Sequence, residues 1–253
     1  MTDWNPAAYA RFRGLRLRPA LDLLAQVGDL PCSDVVDLGC GDGAVAAALR
    51  ARFSDRVLVG LDASPAMLAK ASGYDRLQQA DIATWNPETP PGLIFSNAAL
   101  HWLPDHAALL PRLAALLAPR GVLAVQMPRQ HDAASHRLLR ELAAEMFPDR
   151  FARAAWHPAV MPAADYARLL APLGHVNAWE TEYIQRLAPD AGAHPVRRFT
   201  ESTAMRPFAE KLTEAEQAAY VARYEAELAR AYPAEPDGAV LMPFRRLFFV
   251  LTV

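Results

Sequence analysis

Short apolar runs alternate with amphipathic stretches through the first half of the chain. Apolar runs at residues 34–38, 56–61, 93–96 and 121–126 are each short enough for a buried strand, and a weaker one lies at 77–80. Helical patterns fill the gaps. An alanine-rich stretch covers 43–52, Ser64-Pro65 caps a helix to about Ser72, and Asp105 caps another to Leu117. Before the first strand, Asn5-Pro6 starts a helix that is expected to bend near Gly14 and Pro19 and resume over 21–27. Strands alternating with helices at this spacing predict a doubly wound α/β fold with a mostly parallel sheet. The strands are apolar on both faces, as helices on both sides require.

The pattern changes after Pro128. Residues 130–172 read mostly helical, broken at Pro148, Pro158 and Pro162, and 175–184 fits a strand. Residues 194–233 are helical again, with a capping box at Thr213 to Glu216. Tyr220, Tyr224, Leu228 and Tyr232 repeat at helical spacing, which predicts a core stripe. Residues 247–253 form a last apolar strand. The chain therefore reads as a single domain over 1–253. Residues 28–128 are its core, and 129–172 and 194–233 are helical cap insertions shaping a pocket.

Composition narrows the function. The chain has 253 residues, 53% hydrophobic, with a net charge of -2. That balance argues against a nucleic-acid or membrane-surface protein, whose footprint is a basic excess. It leaves room for a local cationic pocket. No apolar stretch approaches the roughly 18 residues of a membrane span, and the N-terminus lacks the apolar region of a signal peptide. Cys32 and Cys40 are too few for a disulfide framework or a zinc site. A cytoplasmic monomer acting on a small molecule is expected.

The most informative stretch is VVDLGCGDG at 35–43. A glycine-rich turn between strand and helix lets a ligand touch backbone N–H groups. Gly39, Gly41 and Ala44 even fit the dinucleotide pattern, so the glycines alone do not choose between a nicotinamide enzyme and another cofactor. The aspartates favour the latter. A carboxylate beside the loop repels a pyrophosphate, whereas Asp37 and Asp42 suit the ammonium and sulfonium of S-adenosylmethionine. Asp62, about 20 residues beyond the glycines at a strand end, is placed to take both ribose hydroxyls. Asp81 can accept from an adenine amino group, with the Ile82 N–H donating. Any one of these aspartates could instead cap a turn.

VVDLGCGDG, then VGLDASPAML at 59–68, then Asp81-Ile82, resemble the class I S-adenosylmethionine-dependent methyltransferases over residues 33–127. The resemblance implies a Rossmann-like seven-stranded sheet whose last strand is antiparallel. It also implies cofactor contacts from Arg18, Asp37, Gly39, Cys40, Gly41, Asp62, Ala63, Met67, Asp81, Ile82, Asn97 and Ala98. DWNPAAYARF with RLRP at 16–19, SNAALHWLPDH, VLAVQMP and PFRRLFFV resemble more narrowly the trans-aconitate methyltransferases. That implies esterification of one carboxylate of a polycarboxylate. His101, where Gln is frequent, and Gln130, where Asn is usual, depart from that family's pattern. Another small organic acid as acceptor, or a cofactor-binding protein without turnover, stay as alternatives.

A carboxylate acceptor is already ionised at pH 7, so no general base and no catalytic side chain is required, only positioning. The substrate candidates are Tyr9, His101, Trp102, Gln126, Arg206 and Arg246. Each has a plainer reading. Tyr9 can pack on the sheet, His101 can donate to a backbone carbonyl, Trp102 can wall the pocket, and Gln126 can cap a loop. An arginine is commonly a surface ion pair. Arg246 stands out because it interrupts an apolar stretch. Arg16 and Arg18, two apart on a helix, point different ways. His136, after Ser135, is a weaker candidate.

Overall fold

The computed structural model describes residues 13–151 and 160–253. Five parallel strands, β1 (Val35–Leu38), β2 (Leu58–Asp62), β3 (Arg76–Gln79), β4 (Leu93–Asn97) and β5 (Val122–Pro128), form most of the sheet. β7 (Val240–Thr252) inserts between β5 and β6 (His175–Leu187), giving the order β3-β2-β1-β4-β5-β7-β6. Only β7 runs against its neighbours. The expected seven-stranded sheet with an antiparallel last strand is what the chain forms. Strand order reverses between β1 and β4, and the ends of these strands are where ligands bind in such sheets.

Burial explains the strands. Val35, Val36 and Leu38 of β1 and Leu93, Ile94 and Phe95 of β4 are all buried. Their side chains feed two apolar clusters, one on each face. β3, with the sequence RLQQ, is exposed throughout at the sheet edge. Polar residues there blunt an otherwise free edge.

Several boundaries differ from expectation. Helix α1 (Arg13–Ala25) carries both Gly14 and Pro19 without a break. Ala20, Leu23 and Leu24 pack into the core beneath the sheet, and that burial outweighs the N–H that proline lacks. Helix α2 (Ala46–Arg52) starts three residues later than the alanine pattern implies. Gly41 and Gly43 have φ of +57° and +84°, outside the right-handed helical region. Ser64 does cap α3 (Pro65–Leu68), accepting from Met67 N at 3.3 Å, but that helix is only one turn. β7 begins at Val240, not Leu247, and pairs with β6 from Thr252 back to Val240. Its early half alternates buried and exposed positions, so Pro243 and two arginines hide it from an apolar count.

α4 (His106–Ala115) and α6 (Ala163–Leu170) pack on the sheet, whereas α5 (Ala134–Met146), α7 (Pro195–Glu201), α8 (Arg206–Ala209) and α9 (Glu214–Ala231) share a separate apolar cluster with the first half of β7. The Thr213–Glu216 capping box is present at the start of α9. The tyrosine stripe is buried and does more than pack. Tyr220 OH donates to Leu139 O and Tyr224 OH to Ser135 O, each at 2.7 Å, while Ser135 N donates to Tyr232 OH at 3.0 Å. α9 and its last tyrosine thus grip the backbone of α5, and the N–H at the start of α5 gains a partner.

One contact joins the two loops at the sheet's switch point. Gly39 has φ +82°, and a Cβ there would lie 2.3 Å from the Ala99 Cβ. Glycine is needed for the backbone conformation and for the approach of the turn after β4. Gly39→Ala should destabilise the protein by at least about 2 kcal/mol in urea unfolding, through positive-φ strain plus overpacking. Adding Ala99→Gly should recover the overpacking share only. A single Gly39→Ala variant within about 0.5 kcal/mol of the parent would contradict this account.

Candidate functional site

The loop after β1 is braced from β2. Gly39 N and Cys40 N donate to Leu61 O at 2.7 and 2.9 Å. Asp62, the last residue of β2, accepts from Gly41 N at Oδ2 and from Ser64 N at Oδ1, both at 2.9 Å. A carboxylate offers about four acceptor positions, so each oxygen keeps one for a ligand hydroxyl. Ala63 follows, its carbonyl accepting from Gln79 Nε2 at 3.4 Å. The Met67 methyl lies 3.3 Å from where a Gly41 Cβ would stand.

Asp37 is the third residue of β1, inside the strand, and is 2% exposed. Tyr74 OH donates to its Oδ2 at 2.6 Å. Burial pushes the Asp37 carboxyl up to about 7, opposed by the Tyr74 hydrogen bond and aided by Asp62. It supports the loop from below. Cys40 is buried, and desolvation drives its thiol far above the ordinary range, followed by repulsion from Asp37 and Asp62. It is an inert packing residue. Asp81 lies just past β3, exposed, accepting from Ala83 N at 2.8 Å, and Ile82 beside it is buried.

A cavity of about 390 Å³ opens at the ends of β4 and β5. Asn97 and Ala98 at the end of β4 and His101 and Trp102 of the following turn form one wall. Ala98 takes a φ of +55° and donates its N–H to Gln126 O at 2.9 Å. His136, Leu139 and Arg140 of α5 form another wall, and Phe244 and Arg246 come from β7. Arg129 and Gln130 line it from the loop after β5. Trp102 is 59% exposed, with its ring 4.6 Å from that of His101.

Arg246 falls on the buried phase of β7 and is 4% exposed. Its guanidinium lies 4.5 Å from the Phe244 ring centre, and Nη1 donates to Gln126 Oε1 at 3.4 Å. Gln126 itself is fully buried and reaches the cavity through Arg246. Among the described residues, Asn97 Oδ1, His101 Nδ1 and Gln126 Nε2 are buried without a hydrogen-bond partner. Buried polar atoms are rarely left so, and three at one place mark a ligand position. Burial, then Arg246, His106 and His136, press the His101 imidazole down to about 3. His136 is held down at about 4 by burial, then Arg140 and His131.

Two expected site residues go elsewhere. Arg206 pairs with Glu210 at 3.2 Å on the surface of α8, while its neighbour Pro207 faces the cavity. Arg18 is exposed on α1, 3.9 Å from Asp22 and over the Tyr183 ring at the far edge of the sheet. Both make the surface contacts an exposed arginine ordinarily makes. Tyr9 lies outside the described residues. Sequence reasoning missed Arg129 and Arg140, which nothing in a linear pattern separates from other arginines. It also missed His106, buried on α4, whose Nε2 bonds Leu100 O at 3.0 Å and whose Nδ1 bonds Tyr166 OH. That pair holds the turn bearing His101 and Trp102. Gln130 staples its loop to β7, donating to Pro243 O at 3.2 Å and accepting from Arg245 N at 3.4 Å.

Comparison with known proteins agrees with this geometry. The methyltransferase domain family model matches residues 9–195. A trans-aconitate 2-methyltransferase of Methylobacterium nodulans is 47% identical, over 99% of this chain and 98% of its own. One of Yersinia pestis is 43% identical with the same coverage. Among solved structures, a putative methyltransferase from an antibiotic biosynthesis pathway of Anabaena variabilis superposes with a TM-score of 0.57. It is 15% identical and covers 94% of this chain and 98% of that one. A Haemonchus contortus phosphoethanolamine N-methyltransferase 2 bound to S-adenosylhomocysteine gives 0.52 at 16% identity, over 92% of this chain and 52% of that one. At such identity these structures speak for the fold alone. The sequence relatives go further: the chain belongs to the methyltransferases and, within them, to the trans-aconitate 2-methyltransferase family.

Proposed function

We propose that this protein transfers a methyl group from S-adenosylmethionine to one carboxylate of trans-aconitate. The observation that carries the reading is a separation of charge. Asp62 stands at the glycine loop with acceptor capacity to spare, suited to a cationic ligand. Among the described residues, the cavity at the ends of β4 and β5 is lined by Arg129, Arg140 and Arg246 and by no aspartate or glutamate, suited to a polyanion.

The residues of the loop fit the cofactor. The N–H groups of Gly39, Gly41 and Gly43 are taken by Leu61 O, Asp62 Oδ2 and Cys40 O, so what the glycines give a ligand is close approach to the backbone, and Asp62 keeps acceptor capacity for ribose hydroxyls. Asp81 with Ile82 serves the adenine, and Asn97 and Ala98 lie between loop and cavity. When bound, S-adenosylmethionine supplies a methyl group on a sulfonium, and transfer to a carboxylate oxygen cancels one charge of each sign. The protein's part is to bind, orient and dry. Arg246, oriented by Gln126, holds the acceptor carboxylate by charge-assisted hydrogen bonds. His101 offers a neutral imidazole beside it. Trp102 covers the approach, keeping water from the nucleophile.

Methyl transfer from labelled cofactor to trans-aconitate, cis-aconitate, citrate, isocitrate and several monocarboxylates tests the reading. Preference for trans-aconitate is expected. Retained cofactor binding with no transfer to any acid would overturn it.

With His101 and His136 pressed to about 3 and about 4, both are neutral across the physiological range. At saturating cofactor, kcat/KM for the acid should therefore be flat between about pH 6 and 8. The unfolded chain takes up protons on these histidines below about pH 6.5 while the folded chain refuses them, so their share of stability falls with acid from there to about pH 4. A kcat/KM limb near neutrality that disappears in His101→Asn would contradict the assignment.

A further inference from the structure

The cavity's cations stand on different elements, and this bears on which acids it accepts. Arg246 is on β7, against Gln126 of β5. Arg140 is on α5, one turn beyond His136 on the same helix face. Arg140 donates to His131 O at 2.6 Å and His136 O at 3.2 Å, which uses two of about five guanidinium donors and fixes the fork in the wall. His101 senses the charge of both Arg246 and His136, and His136 senses that of Arg140. Arg246, His101, His136 and Arg140 all line this one cavity, Arg246 from the sheet and Arg140 from α5. Arg129, the third arginine, is committed to Glu180 at 3.4 Å. Asp132 and Glu141 are near enough to act on Arg140, yet neither lines the cavity.

We propose that Arg140 is a specificity-determining residue that binds a second carboxylate of the acceptor, while Arg246 holds the one that is methylated. The inference rests on the carboxyl-methyltransferase reading. It confines the substrates to acids with two or more carboxylates at separate ends. A monocarboxylate meets Arg246 alone and forgoes the α5 end. α5 suits this task because Tyr220, Tyr224 and Tyr232 lock its backbone from behind, so the fork is placed before the acid arrives.

The test compares the parent, Arg140→Gln, Arg140→Lys and Arg246→Gln, with trans-aconitate and with crotonate, which keeps an unsaturated stem and one carboxylate. Arg140→Gln should raise KM for trans-aconitate about 10- to 100-fold, the loss of one charge-assisted hydrogen bond. Its kcat should change far less, and its kcat/KM toward crotonate should stay as in the parent. Arg140→Lys should recover part of the loss. Arg246→Gln should impair both acids. An Arg140→Gln variant that loses neither acid, or both equally, overturns the inference and leaves the methyltransferase reading standing. Calorimetric titration of trans-aconitate into the protein with S-adenosylhomocysteine separates the two claims. Weaker binding to Arg140→Gln, with unchanged S-adenosylhomocysteine affinity, upholds the clamp even if turnover is absent. No binding of trans-aconitate to the parent rejects the clamp and the reading together.

Discussion

The contact on which the site depends is between a missing side chain and a methyl group. Gly39 leaves β1 with a positive φ, and Ala99 sits where its Cβ would be. This approach locks the loop after β1 to the turn after β4. One carries the glycine turn and its Asp62 brace. The other carries Asn97, Ala98, His101 and Trp102 into the cavity. Methyl transfer requires donor and acceptor to be held within bonding reach in one geometry. A contact that leaves no slack between the two loops provides that.

The second constraint is electrostatic. Acidic groups gather under the glycine loop and basic groups around the cavity, separated by the end of β4. Each buried charge is handled differently. Asp37 is neutralised in part and bonded by Tyr74. His101 and His136 are kept neutral by burial among arginines. Arg246 lies over the Phe244 ring and bonds Gln126. Keeping the histidines uncharged reduces the repulsion within an arginine-lined cavity while preserving hydrogen-bonding atoms. Holding them there falls to elements outside the sheet: the tyrosines of α9 grip α5, and His106 with Tyr166 steadies the turn of His101.

The sheet was legible because its central strands are buried on both faces, so an apolar run and a strand coincide. β7 was half legible: residues 247–253 are apolar, but Pro243, Arg245 and Arg246 obscure its first half until pairing with β6 reveals the alternation. The glycine loop and Asp62 were legible because positive φ and a strand-end carboxylate leave marks in sequence. Arginines were not. Arg206 and Arg140 both sit on cap helices, and each has an acidic residue nearby in sequence. Only tertiary packing puts Arg140 in the cavity wall and Arg206 beside Glu210 on the surface. Arg246 could be singled out because it broke an apolar pattern. Asp37 was found for its chemistry, but its burial and its bond to Tyr74 show only in the fold.

The most direct measurement is a crystal structure with S-adenosylhomocysteine and trans-aconitate bound together. The account predicts ribose hydroxyls on Asp62 and one acid carboxylate on the Arg246 guanidinium, facing the thioether sulfur. An acid bound outside the cavity, or inside it with its carboxylates turned away from Arg246, would contradict the central claim that the cavity's cations orient the acceptor.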